Sequence, residues 1–206
     1  MSEPDQPQVY LIAPPVIGPD TPDLVARLLD AHPVACLRLA LATQDIDQLA
    51  RAADALREVA HSRDVPIVVS DHLLLVAAHG LDGVHLSGTR GLRDARKELG
   101  ADAIVGAFCA ASRHDGITAA EIGADYVSFG PAGETALGAG SRAELELFAW
   151  WSEVIEAPVV AEGALDLSLA RTLAPVVDFL ALGEEVFAAA DPVLALGAYL
   201  DVLRGA

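Results

Sequence analysis

At 206 residues the chain is long enough for one sizeable core, and 53% apolar residues with a mean hydropathy of +0.40 supply the material for it. Thirty acids against thirteen lysines and arginines give a net charge of −17, a field that repels nucleic acid and anionic membranes. Two cysteines exclude a disulfide framework and have no metal-ligand spacing, and no apolar run approaches the roughly 18 residues of a spanning helix. The opening MSEPDQPQ has no basic segment and does not read as a signal peptide, so the expectation is a reduced, cytoplasmic protein.

Strand-like runs recur along the chain, each followed by a helix-patterned stretch. They open at Val9 (VYLIAP), Ala35 (ACLRLAL), Val65 (VPIVVSD), Gly83 (GVHLSG), Ala103 (AIVGAF), Asp125 (DYVSFGP), Ala157 (APVVAEGA) and Asp178 (DFLALGEE). Short apolar strands in strict alternation with helices imply a parallel sheet. Eight such units predict an α/β fold closed into a single (βα)8 TIM barrel. The chain from 1 to 206 reads as one domain, with residues 1–7 as a flexible N-terminus.

The helices carry their own signals. Thr21 is the predicted N-cap of the first, with Pro22 at its first helical position. From Gln44 to His61, Ile46, Leu49, Ala53, Leu56 and Ala60 form a stripe of helical period against polar Asp47, Arg51, Asp54 and Arg57. From Ser141 to Ile155, Leu145, Phe148, Trp151 and Ile155 share a face, and Trp150 and Trp151 are expected to pack in the outer layer or at an oligomer contact. A last helix runs from Asp191-Pro192 to about Arg204.

In such barrels the active site lies where strands end and βα loops begin. Read together, those segments resemble the thiamine-phosphate synthase family, which also includes the thiazole tautomerases. VYLIAPP resembles its opening strand, and VPIVVSDHLLLVAAHGLDGVHLSG its strand, Asn-Asp, helix and Gly-Val-His-Leu-Gly stretch. IGADYVSFGP, WWSEVIEAPVVAEGAL and DFLALGEEVF resemble later strands and their flanks, so that the match is collinear from about Val9 to Pro192. The resemblance implies thiamine metabolism: a pyrimidine diphosphate is joined to a thiazole phosphate, pyrophosphate leaves, and Mg²⁺ assists. It also implies small phosphorylated ligands and homo-oligomers.

Several of the positions that chemistry needs are replaced. Arg38 stands at the family's inward Gln, with Ala40 and Ala42 at its Arg and Lys. Ser70-Asp71 matches Asn-Asp and leaves Asp71 as the candidate metal ligand, while the second metal carboxylate falls on Arg90, which argues against Mg²⁺. Ser-x-His reads Phe108-Cys109-Ala110. The sixth loop keeps Thr135 but loses its lysine, and the chain's only lysine is Lys97 in the fourth helix. The backbone anion cradle reads Glu162-Gly163-Ala164 and Gly183-Glu184, which sets carboxylates beside a phosphate.

These residues, with His85, are the candidate site. Asp71 either faces a ligand or caps the third helix, and Arg38 either pairs with an acid such as Asp71 or Glu162 or binds an anion. His85 is read as a hydrogen-bonded core histidine and Cys109 as a small buried hydrophobe. Glu184 and Glu185 are read as solvated acids at a strand end, with a general acid/base pair as the alternative. The expected function is an impaired or altered synthase. The alternative is a pseudoenzyme: a non-catalytic ligand-binding or interaction module.

Overall fold

A computed structural model of the chain describes residues 6–134 and 141–205. Eight strands alternate with helices: β1 (Gln8–Ile12), α1 (Thr21–Ala31), β2 (Cys36–Leu39), α2 (Ile46–His61), β3 (Ile67–Ser70) and α3 (Leu73–His79) come first. Then follow β4 (Gly83–Leu86), α4 (Leu92–Leu99), β5 (Ile104–Phe108), α5 (Arg113–Ile122), β6 (Tyr126–Phe129) and α6 (Leu145–Val154). The chain continues through β7 (Val159–Glu162), α7 (Leu167–Leu173), β8 (Phe179–Leu182), α8 (Glu184–Phe187) and α9 (Pro192–Arg204). Each strand pairs in parallel with its sequence neighbours, and β8 closes on β1, with Tyr10 opposite Ala181 on one side and Cys36 on the other. This is the eight-stranded parallel barrel that the strand count predicts.

Alternation along the strands divides the apolar residues into two cores. One residue set (Val9, Leu11, Leu37, Leu39, Val105, Val127) joins the helices in a large outer cluster. The complementary set (Tyr10, Cys36, Val68, Tyr126, Val160, Ala181) fills the barrel interior. Gly106 on β5 makes room there, because a Cβ at that position would lie 2.1 Å from the Tyr126 ring.

The amino-terminal end is tied by a device used three times. Asp82, Asp125 and Asp178, each just before an even-numbered strand, accept 2.7 Å hydrogen bonds from the amides of Ile67, Val105 and Val159 on the strand before. Their own backbone amides donate to the carbonyls of the same three residues, at 2.9, 2.8 and 3.0 Å. Three parallel strand pairs are thus clamped at the end opposite the mouth, where a barrel's side chains serve stability.

Some boundaries differ from expectation. Asp20, not Thr21, is the N-cap of α1; the Thr21 hydroxyl instead accepts from the amide of Gly18 at 3.0 Å. α6 begins at Leu145, which is 41% exposed, and Ile46 at the start of α2 is 73% exposed, because first-turn residues overhang the helix-barrel interface. Phe148 and Trp151 carry the packing of α6: both stack edge-on against Phe129, and Trp151 is fully buried. The short α8 has no apolar period of its own and is absent from the sequence reading.

Candidate active site

Backbone strain marks the carboxyl end of the barrel. Among the described residues four other than glycine have left-handed backbones, and three of them, Asp71 (φ 58°), Ala110 (φ 48°) and Ala164 (φ 52°), lie just past β3, β5 and β7. A Cβ in that conformation costs about 1–2 kcal/mol, and such costs collect at functional sites.

Arg38 points inward from β2 and Glu162 from the end of β7, and they meet at 2.9 Å across the barrel. Burial alone would lower the Arg38 pKa, but Glu162 and then Tyr10 raise it, so the guanidinium stays charged. Its Cζ lies 5.7 Å from the centre of the Tyr10 ring, a cation–π contact. The acid expected beside Arg38 is therefore Glu162 and not Asp71. Among the described residues, the buried Arg38 Nε and the Ser128 hydroxyl have no hydrogen-bond partner.

Below this pair runs a buried string of polar groups. The Tyr10 and Tyr126 hydroxyls are 2.7 Å apart, and His85 Nδ1 lies 2.9 Å from the Tyr126 hydroxyl. The His85 and Tyr126 rings stack with centroids 5.7 Å apart. Burial, then the nearby Arg38 charge, pushes the His85 pKa well below its usual value, so the imidazole is neutral. Burial raises both tyrosine pKa values. His85 is thus a hydrogen-bonded interior histidine. Tyr10, Tyr126 and Ser128 escaped the sequence reading, although the period-two alternation of VYLI and YVSF places all three inward.

Asp71 does not cap α3. His72 is the residue at that helix start, and no side chain caps it. The Asp71 carboxylate turns instead to β4 and accepts from the Ser87 amide at 2.8 Å, while its own amide donates to the His85 carbonyl at 3.0 Å. The carboxylate thereby ties the ends of β3 and β4 together. Ser70, half-buried, sits in register with His85.

Mg²⁺ needs several oxygen donors around an open position. Asp71 already serves Ser87, Arg90 is a cation, and no group of three His, Cys, Asp or Glu side chains converges among the described residues. Among the described residues the donor set does not fit a divalent ion.

Cys109 turns away from the mouth into the outer core, and burial pushes its thiol up to about 12. Thr135 lies outside the described residues. Gly163 has φ 89° and is packed so that a Cβ would lie 3.0 Å from Pro131; its carbonyl accepts from Gly133 at 2.9 Å. Ala164 follows it in the strained rim. Glu184, the first residue of α8, is exposed. Its neighbour Glu185 is not a solvated acid: one carboxylate oxygen accepts from the Leu165 amide at 3.0 Å, the other from the Gly183 amide at 2.9 Å. Sequence could not show this, because the two amides are brought together only by closure of the barrel.

Comparison with known proteins settles the relationship. The family model described as thiamine monophosphate synthase matches residues 9–186. The chain belongs to that family. It is 39% identical to the thiamine-phosphate synthase of Rhodospirillum centenum over 96% of this chain and 98% of that one. With the thiamine-phosphate synthase of Erythrobacter litoralis the identity is 35%, over 97% and 96% of the two chains. In fold it is similar to the thiamine phosphate pyrophosphorylase from Pyrococcus furiosus, with a TM-score of 0.85 at 23% identity over 98% and 97%.

This member of the thiamine monophosphate synthase family has a carboxylate on the buried guanidinium of Arg38 and another on two amides at its rim. A phosphate about 4 Å from the Glu185 carboxylate would meet roughly 4 kcal/mol of repulsion per unit charge at an effective dielectric near 20.

Proposed function

We propose that this barrel serves thiamine metabolism by taking a small ligand at its carboxyl-terminal mouth, and that it does not efficiently couple a pyrimidine diphosphate to a thiazole phosphate. Membership of the family supports the pathway. The Arg38–Glu162 pair carries the proposal of altered chemistry: the buried guanidinium of Arg38 is neutralised within the protein. Displacing pyrophosphate requires cations and preorganised donors for the charge that develops, and losing one such donor costs about 10²–10³-fold in rate. Here Ala40 and Ala42 follow Arg38 where the resemblance places an Arg and a Lys, and Arg90 stands where it places a metal carboxylate.

The second reading, a non-catalytic ligand-binding or interaction module, is favoured by Glu185, whose carboxylate already holds two amides of the rim. Purified protein incubated with both phosphorylated substrates and Mg²⁺ tests the main proposal. Thiamine phosphate should form only slowly above a heat-killed control, and turnover at ordinary enzymatic rates overturns the proposal. Calorimetric binding of the substrates with no product at all decides for the second reading.

A further inference from the structure

The direction in which the interior hydrogen bonds run decides what His85 can do. His85 is the penultimate residue of β4 and accepts the Asp71 amide at its carbonyl, so it stands just inside the carboxyl-terminal rim. It is the one buried histidine among the described residues. Its neutral ring carries a single N–H, on Nδ1 or on Nε2. Nδ1 lies 2.9 Å from the Tyr126 hydroxyl, which lies 2.7 Å from the Tyr10 hydroxyl. Each hydroxyl has one proton to give, so two arrangements make hydrogen bonds of both contacts.

In the first, Tyr10 donates to Tyr126, Tyr126 donates to the lone pair of Nδ1, and the imidazole proton sits on Nε2. In the second, Nδ1–H donates to Tyr126, Tyr126 donates to Tyr10, and the Tyr10 proton is left over. Tyr10 is 2% exposed, and among the described residues its hydroxyl meets no hydrogen-bond partner besides Tyr126. Cys36, opposite it on β2, offers only sulfur, a weak acceptor. The second arrangement therefore strands a buried donor. The first does not: among the described residues the buried polar atoms without a partner are Arg38 Nε and the Ser128 hydroxyl, so a proton on Nε2 is not sealed away. One ordinary neutral hydrogen bond biases such a choice about fivefold to tenfold.

We infer that Tyr126 is a positioning residue that holds His85 as its Nε2–H tautomer, so that His85 gives a hydrogen bond at the mouth and does not act there as a general base. Nε2 is protonated and the Nδ1 lone pair is taken by Tyr126, which leaves the ring no open site for a proton from a ligand. The ligand side of this inference rests on the reading that the carboxyl-terminal mouth is the ligand site. It adds that a ligand meeting this ring must bring an acceptor.

Long-range ¹H–¹⁵N NMR of the labelled full chain, at mildly alkaline pH, reads the tautomer directly, and the signals lost in His85→Gln assign His85 among the six histidines. Wild type should show a protonated Nε2 and a bare Nδ1. Tyr126→Phe removes the donor to Nδ1 and should lower the ratio of Nε2–H to Nδ1–H about fivefold. Tyr10→Phe removes the other buried hydroxyl of the string but leaves that donor, so the wild-type tautomer should persist. Nδ1–H as the main wild-type form overturns the inference, and so does an unchanged ratio in Tyr126→Phe or an equal fall in Tyr10→Phe. Should the phenylalanine variants fail to fold, the wild-type spectrum decides alone. No substrate is present, so fast turnover in the coupling assay would remove the earlier reading and leave this measurement standing.

Discussion

Arg38 on β2 and Glu162 on β7 join opposite sides of the barrel through one 2.9 Å hydrogen bond, with side chains only 9% and 15% exposed. Cutting either end strands the other charge, whereas replacing both removes two desolvated ions together. Arg38→Met is expected to cost about 3 kcal/mol in urea unfolding, and the double variant Arg38→Met with Glu162→Leu to recover to within about 1 kcal/mol of wild type. Strictly additive losses would show that the two charges are not coupled.

His85 makes stability fall on the acid side. Its folded pKa is well below the ordinary value of about 6.5, so below that pH the unfolded chain takes up a proton that the folded chain refuses. The stability due to its neutral state is complete above pH 6.5 and declines as pH falls, by up to about 1.4 kcal/mol per pH unit. His85→Gln removes this proton from the balance. Between pH 6.5 and 5.5, unfolding free energies of the variant should slope less steeply than those of wild type by about three-quarters of a proton; equal slopes would refute the assignment.

Both thiols should be inert in the folded protein. Cys36 faces the barrel interior and Cys109 the outer core, and burial pushes each up to about 12. At pH 8 the thiolate fraction is then on the order of 10⁻⁴. An aromatic disulfide reagent is expected to leave both untouched in native buffer and to titrate the two cysteines of the chain in denaturant. Prompt modification before unfolding would contradict their placement.

Exposure misjudges the aspartates. Asp178 and Asp201 are both exposed, but Asp178 accepts from the Val159 amide, on a residue 1% exposed, whereas Asp201 meets only the solvent-facing Arg204. Asp178→Ala leaves a buried amide without its acceptor and should cost about 1–3 kcal/mol. Asp201→Ala should stay within about 0.5 kcal/mol of wild type. Thermal melts of the two variants distinguish these outcomes.

The barrel was legible because each strand signals itself within a few residues. VYLI, CLRL and YVSF alternate with period two, so the sequence alone sorts Arg38 inward and Leu37 outward. The same rule, applied to β1 and β6, would have yielded Tyr10, Tyr126 and Ser128. What stayed hidden depends on contacts between distant segments. Asp71 before an apolar helix has the local look of a cap, and only the nearness of β4 turns its carboxylate to the Ser87 amide. Likewise Glu185 beside Glu184 reads as one of a pair of surface acids until closure of the barrel brings Leu165 within reach.

The left-handed residues past β3, β5 and β7 bear on how a ligand is received. Glycine at Ala110 or Ala164 would adopt those torsions freely but would also leave the loop roots free to swing, whereas a methyl-bearing residue narrows the choices available to the backbone. Induced fit is thereby curtailed at three of the eight loop roots. On the proposed reading of the mouth as the ligand site, a ligand would find its receptor already cast, with little ordering entropy left to lose on docking and discrimination left to shape and charge fixed before the encounter.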